Sequence, residues 1–252
     1  MKKVLTLIAT VAVLCSCGSL KNLDKEAVAS ATAKTLTAAS LRDADIIALS
    51  QQTVHYMDST SVVLRSGSYV DRLNRLTKDI KVDGLDLAFK VYKTDEINAF
   101  ACGDGSIRVY SGLMDVMDDD ALMAIIGHEI GHVVHKDTKA AMKRAYLASA
   151  ARDMAYSVGG VVATLSSSLV GDLAEKYVEA KYSQKQEYNA DAYGFQFAID
   201  AGRDKYSMYK ALNKLVELSG NSGTTSRVAQ MFASHPDSAA RAAKVKAMAD
   251  AL

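Results

Sequence analysis

Leu41, Ile46, Ile47, Leu49, Val54 and Met57 recur at roughly helical spacing in a polar background, which predicts an amphipathic helix with one apolar face. Residues 69–80 repeat the pattern, with Leu73 and Leu76 on one side. The period then shortens. Leu85, Leu87, Phe89 and Val91 alternate with their neighbours, as on a strand. Residues 98–102 form a second short strand candidate. Gly103 and Gly105 mark a turn, and 106–111 alternate again. Three short strands in succession predict a small antiparallel sheet. Beyond it the helical period returns. Asp118, Asp119 and Asp120 offer an N-cap to a long helix from about Ala121 to Tyr146. A further helix is predicted from about Leu173 to Ala201, and a last one after Pro236, capped by Asp237 or Ser238. The fold class is α+β and mostly helical, with no internal repeat.

The two ends of this pattern need separate treatment. Lys2 and Lys3 precede an apolar run from Val4 to Leu14, which has signal-peptide length and is too short to span a bilayer. Cys15-Ser16-Cys17 comes next, resembling a lipobox in which a small residue precedes the acylated cysteine. Residues 1–16 are therefore expected to be a lipoprotein signal, with Cys17 as the lipidated N-terminus. Residues 17–40 are rich in Ala, Ser, Thr and Lys and read as anchor and spacer. Residues 41–252 form the domain. Within it, 154–171 carry no charge, but three glycines and four serines weaken their hydropathy. They read as a buried helix or flexible hairpin rather than a membrane span.

Charge and cysteine content narrow the function. The 30 basic and 29 acidic residues nearly cancel, so no field favours nucleic acid. Once the signal is removed and Cys17 acylated, Cys102 has no partner for an intramolecular disulfide. It reads as a small buried hydrophobe, and any metal must be held by His and carboxylates. A single proline and no tryptophan suit a helical chain.

The chemistry concentrates in His128-Glu-Ile-Gly-His132. Two histidines four apart lie on one helix face and can meet a single zinc ion, one per chain. Glu129 can reach a water there and act as general base. The flanking Ala124, Ile125, Ile126, Ile130, Val133 and Val134 make this a buried helix, where His and Glu need partners. Thr138 stands where the metzincin pattern has its third histidine, which excludes that class. A glutamate from a downstream helix is the other solution. Glu187 fits as third ligand, and Asp191, one turn on, as acceptor for a ligand histidine.

Around this core are further candidates. His235, before the only proline, is a candidate for steadying the oxyanion or for the metal's open position, or it simply packs at a helix entry. Arg241 could anchor the substrate or an acidic partner. Asn98 begins a candidate edge strand and could clamp the substrate backbone, or it is a turn residue. Tyr110 or another tyrosine could assist the oxyanion. His135 is expected at the surface or just behind the metal, and His55 to be structural.

Together, Asn98-Ala-Phe100, Tyr110-Ser-Gly-Leu-Met, His128-Glu-Ile-Gly-His132, Glu187-x-x-x-Asp191 and His235-Pro resemble the gluzincin peptidases of the bacterial heat-shock membrane protease and CaaX prenyl endopeptidase type. The likeness is greatest to its outer-membrane lipoprotein metalloproteases induced at low osmolarity. It covers roughly Leu41 to Leu252. It implies a zincin-like catalytic domain, zinc on His128, His132 and Glu187, and Glu129 as base. It also implies envelope quality control, with unfolded or misassembled envelope polypeptides as substrates and assembly or chaperone proteins as possible partners. Gly18 is not the aspartate that often retains lipoproteins at the inner membrane, so a bacterial outer membrane facing the periplasm is the expected location. Two other readings compete: a zinc-containing envelope chaperone or assembly factor with little turnover, and a structural lipoprotein with a chance motif. Glu129 separates the first from a peptidase, and stoichiometric zinc excludes the second.

Overall fold

The computed structural model describes residues 41–149, 165–220, 222–236 and 238–252. The expected signal, anchor and spacer, residues 154–164 of the uncharged stretch, and Asp237 lie outside the described residues. Leu41–Leu252 forms one compact unit.

The first predicted helix is α1, Asp43–Thr60, which buries Ile46, Leu49, Val54 and Met57. The second is α2, Ser68–Thr77, with Leu73 and Leu76 inward. His55 is exposed on α1, which corrects its expected structural role. The two-residue strand β1, Val63–Leu64, lies between these helices.

The sheet differs from the expected antiparallel one. It has four strands among the described residues, in the order β1-β2-β4-β3. Here β2 is Ala88–Tyr92, β3 is Ala99–Ala101 and β4 is Ser106–Tyr110. β1 pairs with β2, and β3 with β4, antiparallel, but β2 and β4 run parallel. The connection from β2 to β3 accounts for this. Ser111 Oγ donates to Thr94 C=O (2.7 Å), and Ile97 N–H donates to Arg227 C=O (2.8 Å). These bonds carry the chain past β2, so β3 lands on the outer edge and the returning β4 fills the place between. The return is a tight turn in which Gly105 has φ +91°, and a Cβ there would lie 2.4 Å from Asp86 C=O. β2 begins at Ala88 rather than Leu85 because Leu85 N–H closes a turn onto Val82 C=O (3.1 Å).

After the short α3, Ser111–Val116, comes α4, Asp119–Val134. Its N-cap is Asp118, which accepts from Ala121 N–H (2.7 Å). α4 is buried on nearly every side. The long helix predicted to Tyr146 breaks at His135 and Lys136. Lys136 is left-handed (φ 62°), and α5, Asp137–Ala148, starts in a new direction. Left-handed backbone is costly for a residue with a Cβ, so tertiary contacts of the next helix, rather than local preference, impose the break.

The next predicted helix also divides, into α6, Ser167–Val178, and α7, Gln184–Asp200. Ser183 and Gln186 form a capping box that starts α7 afresh. α8, Ser207–Ser219, α9, Thr225–Ser234, and α10, Ser238–Asp250, complete the chain. No helix among the described residues is long and apolar enough to cross a membrane.

α4 and α7 cross closely because glycines meet at the crossing. A Cβ on Gly194 would lie 2.7 Å from Ala124 C=O and 2.8 Å from His128 N. Gly127 receives Phe197, and Gly131 receives Ala190 and Tyr193. Two apolar clusters flank this pair. One joins the sheet, α4, α8 and α10 through Ile107, Val109, Leu122, Ile126, Leu212 and Val245. The other joins α1, α5 and α6 through Leu49, Met142, Tyr146 and Leu173. Cys102 is fully buried in the second cluster and unpaired in a disulfide, and burial pushes its thiol well up.

Candidate active site

His128 and His132 stand one turn apart on the buried α4, and Glu187 and Asp191 one turn apart on α7. The glycine-mediated crossing sets these four side chains opposite one another. His128 Nε2 and His132 Nε2 approach to 3.1 Å. Glu187 Oε1 is 3.5 Å from His132 Nε2, and Glu187 Oε2 is 3.8 Å from His128 Nε2. His235, at the end of α9, brings Nδ1 to 3.3 Å from His128 Nε2 and 3.1 Å from Glu187 Oε1. One ligand atom from each of these four residues lies within 4.8 Å of the others, and all four residues are buried.

The donor chemistry fits a metal. His128 Nδ1 is 2.9 Å from Asp191 Oδ1, and His132 Nδ1 is 3.0 Å from Asp137 Oδ2. Each ring thus turns one nitrogen to a carboxylate, which only accepts, so that nitrogen carries the proton. Both Nε2 lone pairs then point at one spot, where a Glu187 oxygen also arrives. Three converging acceptors in a buried site are the donor set that could hold a metal cation. Their separations suit tetrahedral coordination at about 2.0–2.1 Å from nitrogen or oxygen, whose edges are about 3.3 Å.

The electrostatics agree. Burial alone would lower the pKa of His132, but hydrogen bonds to Asp137 and Glu187 outweigh it and raise it to about 9. Surroundings that hold a proton on a buried imidazole also favour a bound cation. For His128 burial wins over the Asp191 contact, and its pKa falls. Glu187 is held far below the usual carboxylate range despite burial, because His235, His132 and His128 surround it.

Arg241 does not face a substrate, which corrects its expected role. It is 2% exposed. Its Nε and Nη2 donate to the two oxygens of Asp191 (2.7 and 2.6 Å), and Nη1 lies 2.5 Å from Glu187 Oε2. The acidic partner is inside the chain. A bidentate guanidinium offsets two buried carboxylates and fixes both. It also holds Asp191 low against the opposing effect of burial.

Glu129 is 1% exposed, and its Oε1 has no hydrogen-bond partner among the described residues. The nearest cationic candidate is His235 Nε2 at 3.8 Å. A buried carboxylate oxygen left unmatched is costly in a purely structural setting and is what a poised base requires. Glu129, His235, Tyr182 and residues 98–101 line one narrow cleft. Along it runs β3, the sheet edge. Tyr110 N–H donates to Asn98 C=O and Cys102 N–H to Ser106 C=O, so even-numbered residues face β4, and Ala99 and Ala101 face outward. Asn98 Oδ1 accepts from Ala99 N–H (2.9 Å), and Tyr177 Oη donates to Ala101 C=O (2.5 Å). Asn98 is therefore at the edge and engaged with its own strand.

Other expectations resolve simply. Tyr110 packs with Tyr92 and Phe100, ring centres 5.7 and 6.2 Å away, and burial raises its pKa to about 12. The tyrosine at the site is Tyr182, stacked on the His132 ring at 4.0 Å. His135 is exposed, edge-on to Tyr193. Sequence reasoning does not reach Tyr182, Asp137 or Gln186. The Ser183-to-Gln186 capping box is a legible signal that a helix starts there, which would place Tyr182 in the loop. Nothing in the local pattern announces Asp137, which sits within an apparently continuous helix.

The sequence model of Peptidase family M48 matches residues 65–249. Metalloprotease YcaL of Escherichia coli (strain K12) is 35% identical over 97% of this chain and 96% of its own length. Metalloprotease LoiP of the same organism is 36% identical over 97% and 96%. A Protease HtpX homolog of Salinibacter ruber is 27% identical over 81% of this chain and 86% of its own.

Proposed function

The chain belongs to peptidase family M48 and is a zinc metalloprotease, and we propose that it cleaves unfolded or misassembled polypeptides in the bacterial cell envelope, tethered by a lipid on Cys17. The observation that carries the peptidase reading is the partnerless Oε1 of Glu129, buried between the converging ligands and the β3 edge. A zinc-binding chaperone has no use for that group.

His128, His132 and Glu187 would hold the metal, oriented by Asp191, Asp137 and Arg241. Zinc bound there acidifies a water and polarises the scissile carbonyl. Glu129 takes the proton from the attacking water at a carboxylate oxygen and passes it to the departing amine. The substrate lies extended beside β3, using Ala99 C=O and Ala101 N–H, the outward backbone groups that Asn98 and Tyr177 do not take. An extended strand is what an unfolded chain can supply and a folded one cannot, which supports misfolded polypeptides as substrates.

His235 Nδ1 sits at the fourth corner of the ligand cluster, which favours restraint over oxyanion stabilisation. Catalytic zinc sites keep one position open. His235→Ala is expected to raise casein turnover severalfold, whereas a loss of turnover assigns His235 to the reaction itself.

The anchor rests on the Lys2–Cys17 sequence alone. Cells making the full chain are expected to incorporate radiolabelled palmitate into it and hold it in the outer-membrane fraction. Cys17→Ser should lose the label and leave the membrane. Retention of both by the variant contradicts the tether.

A further inference from the structure

We infer that Asp137 and Gln186 form a positioning pair for the second metal histidine, locking the two ligand helices in register. Asp137 Oδ2 accepts from His132 Nδ1 at 3.0 Å, and Gln186 Nε2 donates to Asp137 Oδ1 at 2.7 Å. Both oxygens of the carboxylate are thus committed, one to each ligand-bearing helix. His132 is on α4. Gln186 is in the first turn of α7, one residue before Glu187.

The backbone is bent to make this contact. Continuation of α4 would carry residue 137 past the metal. The left-handed Lys136 instead turns the chain so that Asp137 folds back onto the residue five before it. That conformation is unfavourable for a lysine, and the buried Asp137–His132 contact accounts for its being held. On α7 the capping box aims Gln186. Its Oε1 accepts from Ser183 N–H and Oγ–H, both at 2.9 Å, which leaves Nε2 directed at Asp137. One amide therefore starts the helix with its oxygen and steadies the metal site with its nitrogen.

An acceptor on the remote nitrogen of a ligand histidine fixes the ring's tautomer and rotation, and its removal typically weakens metal binding by about 10–100-fold. Asp137 does this for His132, and Asp191 Oδ1 stands 2.9 Å from the corresponding nitrogen of His128.

The test is zinc affinity, measured by competition with a chromophoric chelator on the metal-free domain from residue 41, which forms one compact unit. Asp137→Ala is expected to raise the zinc dissociation constant about 10–100-fold. Gln186→Glu separates the two duties of the amide. It keeps the capping oxygen, and Glu suits this capping position well, but it replaces the donor with a second carboxylate facing Asp137. Its dissociation constant should rise severalfold while helix content by circular dichroism stays at the wild-type value. The double variant should bind no more weakly than Asp137→Ala alone, since Gln186 acts through Asp137. If Asp137→Ala does not fold, Asp137→Asn takes its place, with a smaller expected loss because one acceptor oxygen remains. Zinc affinity within twofold of wild type for the Asp137 variant, or additive losses in the double variant, overturns the pair. The inference rests on His132 being a metal ligand. Failure of that reading is distinct, because wild type itself would then bind no zinc.

Discussion

At the residue scale, burial decides what each charged side chain does. From sequence alone Arg241 reads as a surface or substrate group, since arginine on a helix is usually solvated. It is instead enclosed with Asp191 and Glu187. Removing one partner of a buried ion cluster leaves unmatched charge, a loss of about 3–5 kcal/mol. Arg241→Met should therefore lower the unfolding free energy of the metal-free protein by about that much, as measured by urea denaturation. A change under about 1 kcal/mol would show that Asp191 and Glu187 find other support. The ligands themselves are legible because their chemistry is written in spacing. Two histidines four apart and a later Glu-x-x-x-Asp each define one helix face. Asp137 is not legible, since its role arises from a left-handed residue that no local pattern announces.

At the element scale, hydrophobic period identifies the helices and the strand candidates but not where long helices divide. The break at Lys136 is set by tertiary contacts, with apolar spacing running through it nearly undisturbed, whereas the restart at Ser183 carries a local signal in its capping box with Gln186. The sheet shows the same limit. Alternation marks three of its four strands, while the parallel pairing of β2 and β4 depends on a connection held by Ile97 and Thr94. The decisive contact between elements is the crossing of α4 and α7. Gly194→Ala would drive a methyl into Ala124 C=O and His128 N, neither of which is a side chain that can move aside. Overpacking of this kind costs about 1–3 kcal/mol. It should also part His128 from Glu187, so zinc affinity falls together with the thermal midpoint. Gly220→Ala is the control: its Cβ would meet nothing closer than 3.7 Å, so both quantities should stay near wild type. Equal behaviour of the two variants would mean that the crossing does not set the site.

At the scale of the whole molecule, a buried acceptor cluster, an unmatched glutamate and a strand edge come together in one cleft. The two helices that carry the ligands are held by glycines at their crossing and by the Asp137–Gln186 contact, and Arg241 fixes the two carboxylates of α7. The account's central claim is that this cleft hydrolyses peptide bonds with zinc and with Glu129 as base. The most direct measurement determines zinc per chain and casein cleavage for the domain from residue 41 and for its Glu129→Gln variant, side by side. The account predicts one zinc per chain in both, with cleavage reduced at least about 100-fold in the variant. Equal cleavage by the two proteins, or a folded wild type that takes up no zinc when it is supplied, would contradict it.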